Sequence, residues 1–376
     1  MYHLTREQLL KDLYVAFSDA KRHKSNKPYV KIFEKRLDTN LQELANALYA
    51  RTYKPQASSC FIITDPKRRE VFAAAFRDRV VHHLYYNYTH ELFERTFIQD
   101  AYSCIKGRGI HYGMQRLYGH IRQESRNFSR PCYVLKMDIR GYFMHINREK
   151  LLEVCLATIC KMATHRVLKR VPILWQDMID IDFVEYLTRE IALLDPTLNC
   201  HIVGNRAEWN DLPHDKSLFS SPKGCGLPIG NLTSQLFSNI YLNVLDQYMK
   251  RDLHCTHYGR YVDDFYVVSC NKEWLRSLVP LVRAFLEQKL YLTLHEGKNA
   301  IYPIQYGVQY LGMFLKPWRM TACRESLQRM AHKREALYAD FRVGKIPLLR
   351  VATAMASFLG ILSHGYNGRV KPEFEI

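Results

Sequence analysis

The chain has 376 residues, 47% of them hydrophobic, and its 54 Lys and Arg against 37 Asp and Glu give a net charge of +17. That composition supports a sizeable core over two or three domains and excludes a disordered tail or a collagen-like chain. None of the ten cysteines forms a CxxC pair, no apolar run nears a membrane span, and the N-terminus lacks a signal-peptide core; the expectation is a cytoplasmic protein with free thiols, no membrane association and a polyanion partner, most often nucleic acid.

Taken in chain order, TREQLLKDLYVAFSDAKRHK predicts a helix over 5–24 with Thr5 as cap, and a second helix covers 28–50. SSCFIIT (58–64) reads as a strand and VFAAAFRDRVVHHLYYNY (71–88) as a long buried helix. PCYVLKMDI (131–139) is a short apolar strand ending on a carboxylate. Residues 147–195 return to helix, 196–226 are rich in Pro and Gly, and a helix starts near Leu232. RYVDDFYVVS carries an Asp-Asp turn, YLTLHEGKNAIYP a second strand with a lysine, GVQYLGMFLK a further strand, and 322–364 two or more helices. Strands in mixed order flanked by helices place the chain in the α+β class. Gly107-x-Gly109 lacks the frame of a dinucleotide loop. His82-His83 lies on an apolar helix as a core or RNA-contacting pair, and Cys155 and Cys160 read as buried in a helix.

Basic residues occur in patches throughout. Residues 1–36 carry nine Lys and Arg against four acids, and Gly107 to Arg130 five arginines against one Glu. Aromatics interleave with them, as a groove that follows phosphates and stacks on bases requires.

The acids are informative where they cluster. Asp138 ends an apolar strand, where a carboxylate is costly to bury without compensation. Asp263 and Asp264 adjoin in the turn of RYVDDFYVV and repel each other, so a cation is expected beside them. An Asp-Asp hairpin turn facing water is the plain alternative. Three carboxylates converging from two neighbouring strands could hold two Mg²⁺ ions and serve nucleotidyl transfer.

YVDDF (261–265) resembles the YxDD box of reverse transcriptases, and further boxes follow in the expected order over about residues 50–315. DPKRREVFAAAFRDRVVHH, with Lys67, Arg69, Asp78 and Arg79, resembles the fingers motif, and KGRGIHYG (106–113) the next fingers segment. LKMDIRGYF (135–143) resembles the first catalytic box and GLPIGNLTSQLFSNIYLNVLD (226–246) the palm helix. LTLHEGKN (292–299) resembles the lysine box, and GVQYLGMFL (307–315) the primer-grip hairpin. Ile229 and Gln235 depart from the commoner Q-G-x-x-x-S-P, and IGNLTSQ resembles the enzymes of diversity-generating retroelements.

The resemblance implies a right-hand polymerase: helical fingers over 1–130, a mixed α/β palm on an antiparallel sheet over 131–315 with an inserted segment at about 147–225, and a small helical thumb over 316–376. It implies an RNA-directed DNA polymerase that copies a template-repeat RNA into cDNA, misincorporates at template adenines and so diversifies a target gene. Its partners would be that RNA, the RNA–DNA duplex and a small basic accessory variability protein, either monomeric or oligomeric. The source would be bacterial, archaeal or phage. Asp138, Asp263 and Asp264, with Ile139, would form the site for two Mg²⁺ ions. Lys67 and Arg69 would neutralise the triphosphate of an incoming deoxynucleotide. Phe143 would clash with a 2′-hydroxyl, Ile229 and Gly230 would contact the nucleotide, and Ile229 with Gln235 would set fidelity. Lys298 would act as general acid toward pyrophosphate. A retron, group II intron-like or phage-defence enzyme, or a catalytically silent RNA-binding scaffold, is the alternative. The 61 residues after Leu315 suffice for a thumb and are too few for a ribonuclease H domain.

Overall fold

The computed structural model describes residues 2–65, 67–168, 171–363 and 365–367. The chain divides into two compact units. The first comprises Met1–Ile98, Ile139–Tyr248 and Arg283–Leu294, and the second Gln99–Asp138, Met249–Val282 and His295–Ile376.

The first unit is mainly helical. Helix Arg6–Lys21 starts on the Thr5 side chain, which accepts the Gln8 N–H, and buries Leu9, Leu13, Ala16, Phe17 and Ala20. The second expected helix is two, Pro28–Glu34 and Leu37–Tyr49, because Arg36 leaves helical geometry at φ −127°. β1 (Ser58–Ile63) pairs antiparallel with β2 (Arg69–Ala73) and parallel with a short strand, Cys200–Ile202. β2 corrects the helix expected over 71–88. Glu70 and Phe72 are buried between less buried neighbours, a two-residue period that belongs to a strand, and the helix begins only at Phe76 and runs to Glu94.

The helix expected over 147–195 is likewise broken. Helix Arg148–Ala163 gives way to short strands Arg166–Leu168 and Val171–Leu174 and resumes at Ile181–Ala192. Cys155 is buried in the first of these, whereas Cys160 is exposed. Helix Leu232–Gln247 buries most of its length, including Thr233, Ser234, Ser238 and Asn239.

The second unit carries the central antiparallel sheet, in the order β4-β5-β3-β6: β3 (Tyr133–Asp138), β4 (Tyr258–Tyr261), β5 (Asp264–Ser269) and β6 (Ala300–Pro303). Lys298 was expected on a strand and lies instead in the short turn Glu296–Lys298 before β6. A second antiparallel sheet holds β7 (Val308–Tyr310), β8 (Met313–Lys316) and β9 (Arg319–Ala322), with Tyr366–Asn367 on its edge. Helix Ile110–Glu124 contributes Met114, Leu117 and Ile121 to a core shared with Val134, Tyr266, Val268, Tyr310, Met313 and Leu315. Helices Arg324–Arg342 and Leu348–Ser363 follow. The α+β class is as expected. Among the described residues no helix is long and apolar enough to cross a membrane.

His82 is a core residue. Burial pushes its imidazole down to about 3, with the charges of His83 and Arg79 adding to the effect. A histidine depressed in the folded state stabilises fully above its unfolded value of 6.5 and loses that contribution as pH falls toward 3. His82→Gln is therefore expected to flatten the loss of urea midpoint between pH 7 and about 4.5. Parallel slopes for the two proteins would contradict the assignment.

Candidate active site

Strand pairing brings the three carboxylates together. In the β3–β5 register Asp138 stands opposite Asp264, which sets their Cα atoms about 4.5–5.5 Å apart. In the β4–β5 register Tyr261 stands opposite Asp264, leaving Val262 and Asp263 as a two-residue hairpin loop. Only Val262 of that pair is left-handed, at φ 55°, so the loop is not the type I′ turn in which both central residues are. A β-branched residue in that region is an outlier.

Val262 is held there. The wholly buried Arg260 guanidinium donates to the Val262 carbonyl at 3.0 Å, and the Val262 N–H donates to Ser103 Oγ at 3.3 Å. Arg260 itself lies beside segment 100–102: its N–H donates to the Asp100 carbonyl at 2.9 Å and its carbonyl accepts the Tyr102 N–H at 3.0 Å. Asp100 is fixed in turn by two bonds from Arg116, at 2.7 and 3.1 Å. Below the loop, the Tyr102 and Tyr266 hydroxyls meet at 2.8 Å, and His120 Nδ1 lies 3.1 Å from the Tyr266 hydroxyl. Gly259 is required for this closeness, since a Cβ there would fall 2.3 Å from the Tyr102 oxygen.

The electrostatics follow from the crowding. Burial, then the charge of Asp138, push Asp263 up to about 6. Asp264 also rises to about 6 through burial, with Lys136 opposing and Asp138 reinforcing the shift. Lys136 Nζ lies 3.8 Å from Asp264 Oδ2 and 5.6 Å from the centre of the Tyr310 ring, whose hydroxyl donates to the Asp264 carbonyl at 3.3 Å. Lys298 bonds Asp138 Oδ2 directly, and the His295 N–H donates to the Asp138 carbonyl at 2.8 Å. Burial pulls the Lys298 ammonium down, but its bond to Asp138 and the charges of all three aspartates outweigh that and hold it above the usual lysine range. A lysine so held gives up its proton reluctantly, so general-acid chemistry there requires the charge of Asp138 to be engaged elsewhere.

Among the described residues no three His, Cys, Asp or Glu side chains form a ready-made metal site; Lys298 and Lys136 sit on two of the three carboxylates. The donor set nevertheless fits a hard divalent cation, being entirely carboxylate oxygen with two members driven toward neutrality by burial and by the neighbouring carboxylate charge. Ile139 is buried and could offer only its backbone oxygen.

The remaining sequence-predicted residues lie in the first unit. Lys67 is exposed in the β1–β2 turn and Arg69 is exposed where β2 starts, opposite Ile63. Between them, Arg68 is tied down, donating to the Glu208 carbonyl at 2.8 Å and pairing with Asp211 at 3.0 Å. Phe143 and Ile229 pack on one apolar cluster with Cys60, Phe72, Met144 and Leu218. The Ile229 carbonyl accepts the Phe72 N–H at 2.9 Å. Gly230, at φ 121°, lets the chain pass β2, since a Cβ would lie 2.8 Å from Val71 Cγ1. Gln235 stands apart, exposed in the first turn of helix Leu232–Gln247. Asp78 and Arg79 are structural here. Buried Asp78 accepts from the Tyr53 hydroxyl and the Gln56 N–H, each at 2.8 Å, and Arg79 donates to the Ala74 carbonyl at 2.8 Å.

Sequence reasoning missed Arg260, Ser103 and Lys136, which hold the carboxylate loop, and Glu70. Buried Glu70 accepts from Trp209 Nε1 (2.7 Å), Ser217 Oγ (2.8 Å) and the Leu218 N–H (2.5 Å), fastening residues 209–218 to β2. Arg260 could have been found, because an arginine inside an apolar strand one residue before YVDD demands a partner. Glu70 had no such mark.

Residues 66–315 match the reverse transcriptase (RNA-dependent DNA polymerase) family. The chain belongs to that family. No curated protein matches the sequence. Similar solved structures include the apo telomerase of Candida tropicalis, at 12% identity and TM-score 0.49 over 74% of this chain and 50% of that one. A C-terminally truncated form of the same telomerase matches at 11% identity and TM-score 0.47, over 76% and 60%. Candida albicans telomerase in complex with a TWJ fragment of telomeric RNA matches at 9% identity and TM-score 0.47, over 84% and 56%. This chain thus spans between half and three-fifths of those chains.

Two outcomes are expected. Because Asp263 has a higher pKa folded than unfolded, its ionisation costs stability as pH rises from about 4 through 6, and the full cost remains above that. In EDTA, Asp263→Asn should raise Tm by a few degrees at pH 8 and by about half as much at pH 5; an equal gain at both would count against the shift. Arg260→Met should slow primer extension at least tenfold, and adding Val262→Gly should recover part of the rate, because glycine takes the left-handed turn unaided. A double variant no faster than the single one would show that Arg260 does not act through the loop.

Proposed function

We propose that this chain is the polymerase of a diversity-generating retroelement, copying a template-repeat RNA into cDNA with errors concentrated at template adenines. The observation that carries the polymerase reading is the register that sets Asp138 against Asp264, with Asp263 in the adjoining loop, inside a family match that covers all three. The finer reading is supported by IGNLTSQ (229–235) and by Ile229 standing in an apolar cluster with Phe143.

In this reading 1–130 are fingers, 131–315 palm and 316–376 thumb. Two Mg²⁺ ions held by Asp138, Asp263, Asp264 and the Ile139 carbonyl would supply Lewis-acid stabilisation of the triphosphate and the leaving pyrophosphate. The protein's own groups do the rest. Lys67 and Arg69 are exposed and without an ion-pair partner among the described residues, so they are free to bind triphosphate oxygens. Phe143 excludes a 2′-hydroxyl and selects deoxynucleotides. Ile229 replaces an amide with a branched apolar wall, so selection rests on base-pair shape and discriminates mismatches less well. Lys298 releases Asp138 when the site is filled and then protonates or neutralises pyrophosphate. A basic accessory protein would dock through shared RNA or an acidic patch, given the charge of +17. The setting would be the cytoplasm of a bacterium or archaeon, with the gene carried by the host or its phage.

Primer extension on an RNA template with Mg²⁺ and deoxynucleotides tests the polymerase reading. Wild type should extend, while Asp263→Ala/Asp264→Ala should lose at least a thousandfold; equal extension would reject an enzyme in favour of an RNA-binding scaffold. Sequencing the cDNA tests the finer reading. Errors should concentrate opposite template adenines and fall at least severalfold in Ile229→Gln, whereas an even error spectrum would favour a retron, intron or phage-defence enzyme.

A further inference from the structure

At the opposite end of β3 from Asp138, about 16 Å away along the strand, the second unit has an open cavity of about 370 Å³ whose lining includes Phe128, Arg130, Tyr133, Lys272, Gln305 and Pro317. Two features mark it out. The first is a left-handed tryptophan set against the left-handed end of helix Ile110–Glu124, whose last turn is closed by the Asn127 N–H on the Arg122 carbonyl and the Arg126 N–H on the Gln123 carbonyl. Arg126, Asn127 and Phe128 are all left-handed, at φ 49°, 56° and 63°, and so is Trp318, at 60°. Trp318 occupies the second position of the Pro317–Trp318 turn joining β8 to β9, with Lys316 opposite Arg319. After proline that position ordinarily belongs to glycine or asparagine. Instead it presents an indole that is 49% exposed.

The strained segments meet. The Trp318 and Phe128 rings lie 4.9 Å apart at 65°. The Phe128 loop is fixed from behind: its N–H donates to Ser125 Oγ at 2.8 Å, the Asn127 N–H donates to the Arg122 carbonyl at 2.8 Å, and the Arg122 guanidinium donates to Asn127 Oδ1 at 3.0 and 3.1 Å. Trp318 has no such cap to explain it, and a left-handed residue that holds a large exposed ring points to a site.

The second feature is charge. Arg130 and Lys272 line the cavity, Lys272 lying 5.7 Å from the centre of the Tyr133 ring, and Lys316 and Arg319 flank the turn. The neighbouring acid Glu124 accepts the Cys270 N–H at 2.9 Å and lies 3.5 Å from His257. Arg130 reaches it too, with Nε donating to the Glu124 carbonyl at 2.8 Å and Nη2 4.0 Å from Oε1, so the cations of the cavity outnumber its one acid. An exposed indole backed by the half-buried Phe128 ring and set beside several cations suits unpaired bases and their phosphates.

We propose that this cavity and the Trp318 turn bind unpaired RNA, as a site separate from the carboxylates. One or two bases stack on Trp318 and Phe128, and the adjoining phosphates lie on Arg130 and Lys272. The turn lies beyond the segment resembling the primer grip, and the site holds RNA outside the duplex being extended. This rests on the chain binding RNA and not on its catalysing polymerisation.

The test is fluorescence anisotropy of a labelled oligo(U) of about 12 nucleotides, with excess unlabelled primer–template present to fill the polymerase groove. Trp318→Gly removes the ring while relieving the left-handed strain, so its Tm should not fall, yet its Kd for oligo(U) should rise at least fivefold. Arg130→Glu/Lys272→Glu should raise Kd at least tenfold and reduce the slope of log Kd against log salt by about 1.4. Extension of a short, saturating primer–template should be unchanged in both. Unaltered oligo(U) binding in both variants would overturn the site. So would an equal loss of binding to a poly-glutamate peptide, which would make the surface an acidic-protein dock. Lost extension with unaltered oligo(U) binding would place these residues in the polymerase groove and also overturn it.

Discussion

Three like charges are held within reach of one another by strand register, and much of the second unit serves that constraint. β3 and β5 are paired so that Asp138 faces Asp264, and the shortest hairpin loop then delivers Asp263 beside them. Burial, reinforced by the charge of Asp138, pushes Asp263 and Asp264 up to about 6. The protein answers with cations at two distances. Lys298 and Lys136 touch the carboxylates, while Arg260 sits one layer behind and holds the backbone of Val262. A pair of lysines quiets the repulsion without removing it, leaving oxygen ligands poised for a stronger cation. Stability is given up at the place where chemistry is done.

The first unit follows a different logic. Its charged nucleotide-binding candidates, Lys67 and Arg69, sit on a hairpin turn whose middle residue, Arg68, is anchored. β2 is clamped from below by Glu70 and joined to the backbone of Ile229. The apolar cluster that contains Phe143 and Ile229 is built on that same strand through Phe72. A substitution in Glu70 would therefore disturb the setting of Ile229 without touching it.

The sequence was most readable where chemistry constrains it and least where tertiary contact overrides local preference. Asp138, Asp263 and Asp264 stood out because a carboxylate on an apolar strand or beside another carboxylate needs a reason. The α+β class followed from strand and helix periodicities. The helix expected from residue 71 fails over 71–73: AAAF continues smoothly into a helix, and nothing local reveals that Glu70 has three donors waiting in the segment 209–218. The break after Ala163 and the split at Arg36 were hidden for a similar reason, since helical composition runs through both. Gln235 shares its motif with Ile229, yet a few residues of helix separate its exposed side chain from the apolar cluster.

Strand register sets three carboxylates where a divalent cation would relieve their repulsion. Thermal unfolding at pH 7.5 and constant ionic strength, with and without millimolar Mg²⁺, tests it most directly. The wild type should gain several degrees on adding Mg²⁺, by preferential binding to the folded state, and Asp138→Asn/Asp264→Asn should start at a higher Tm in EDTA and gain nothing. The same Mg²⁺ shift in both proteins would contradict the account.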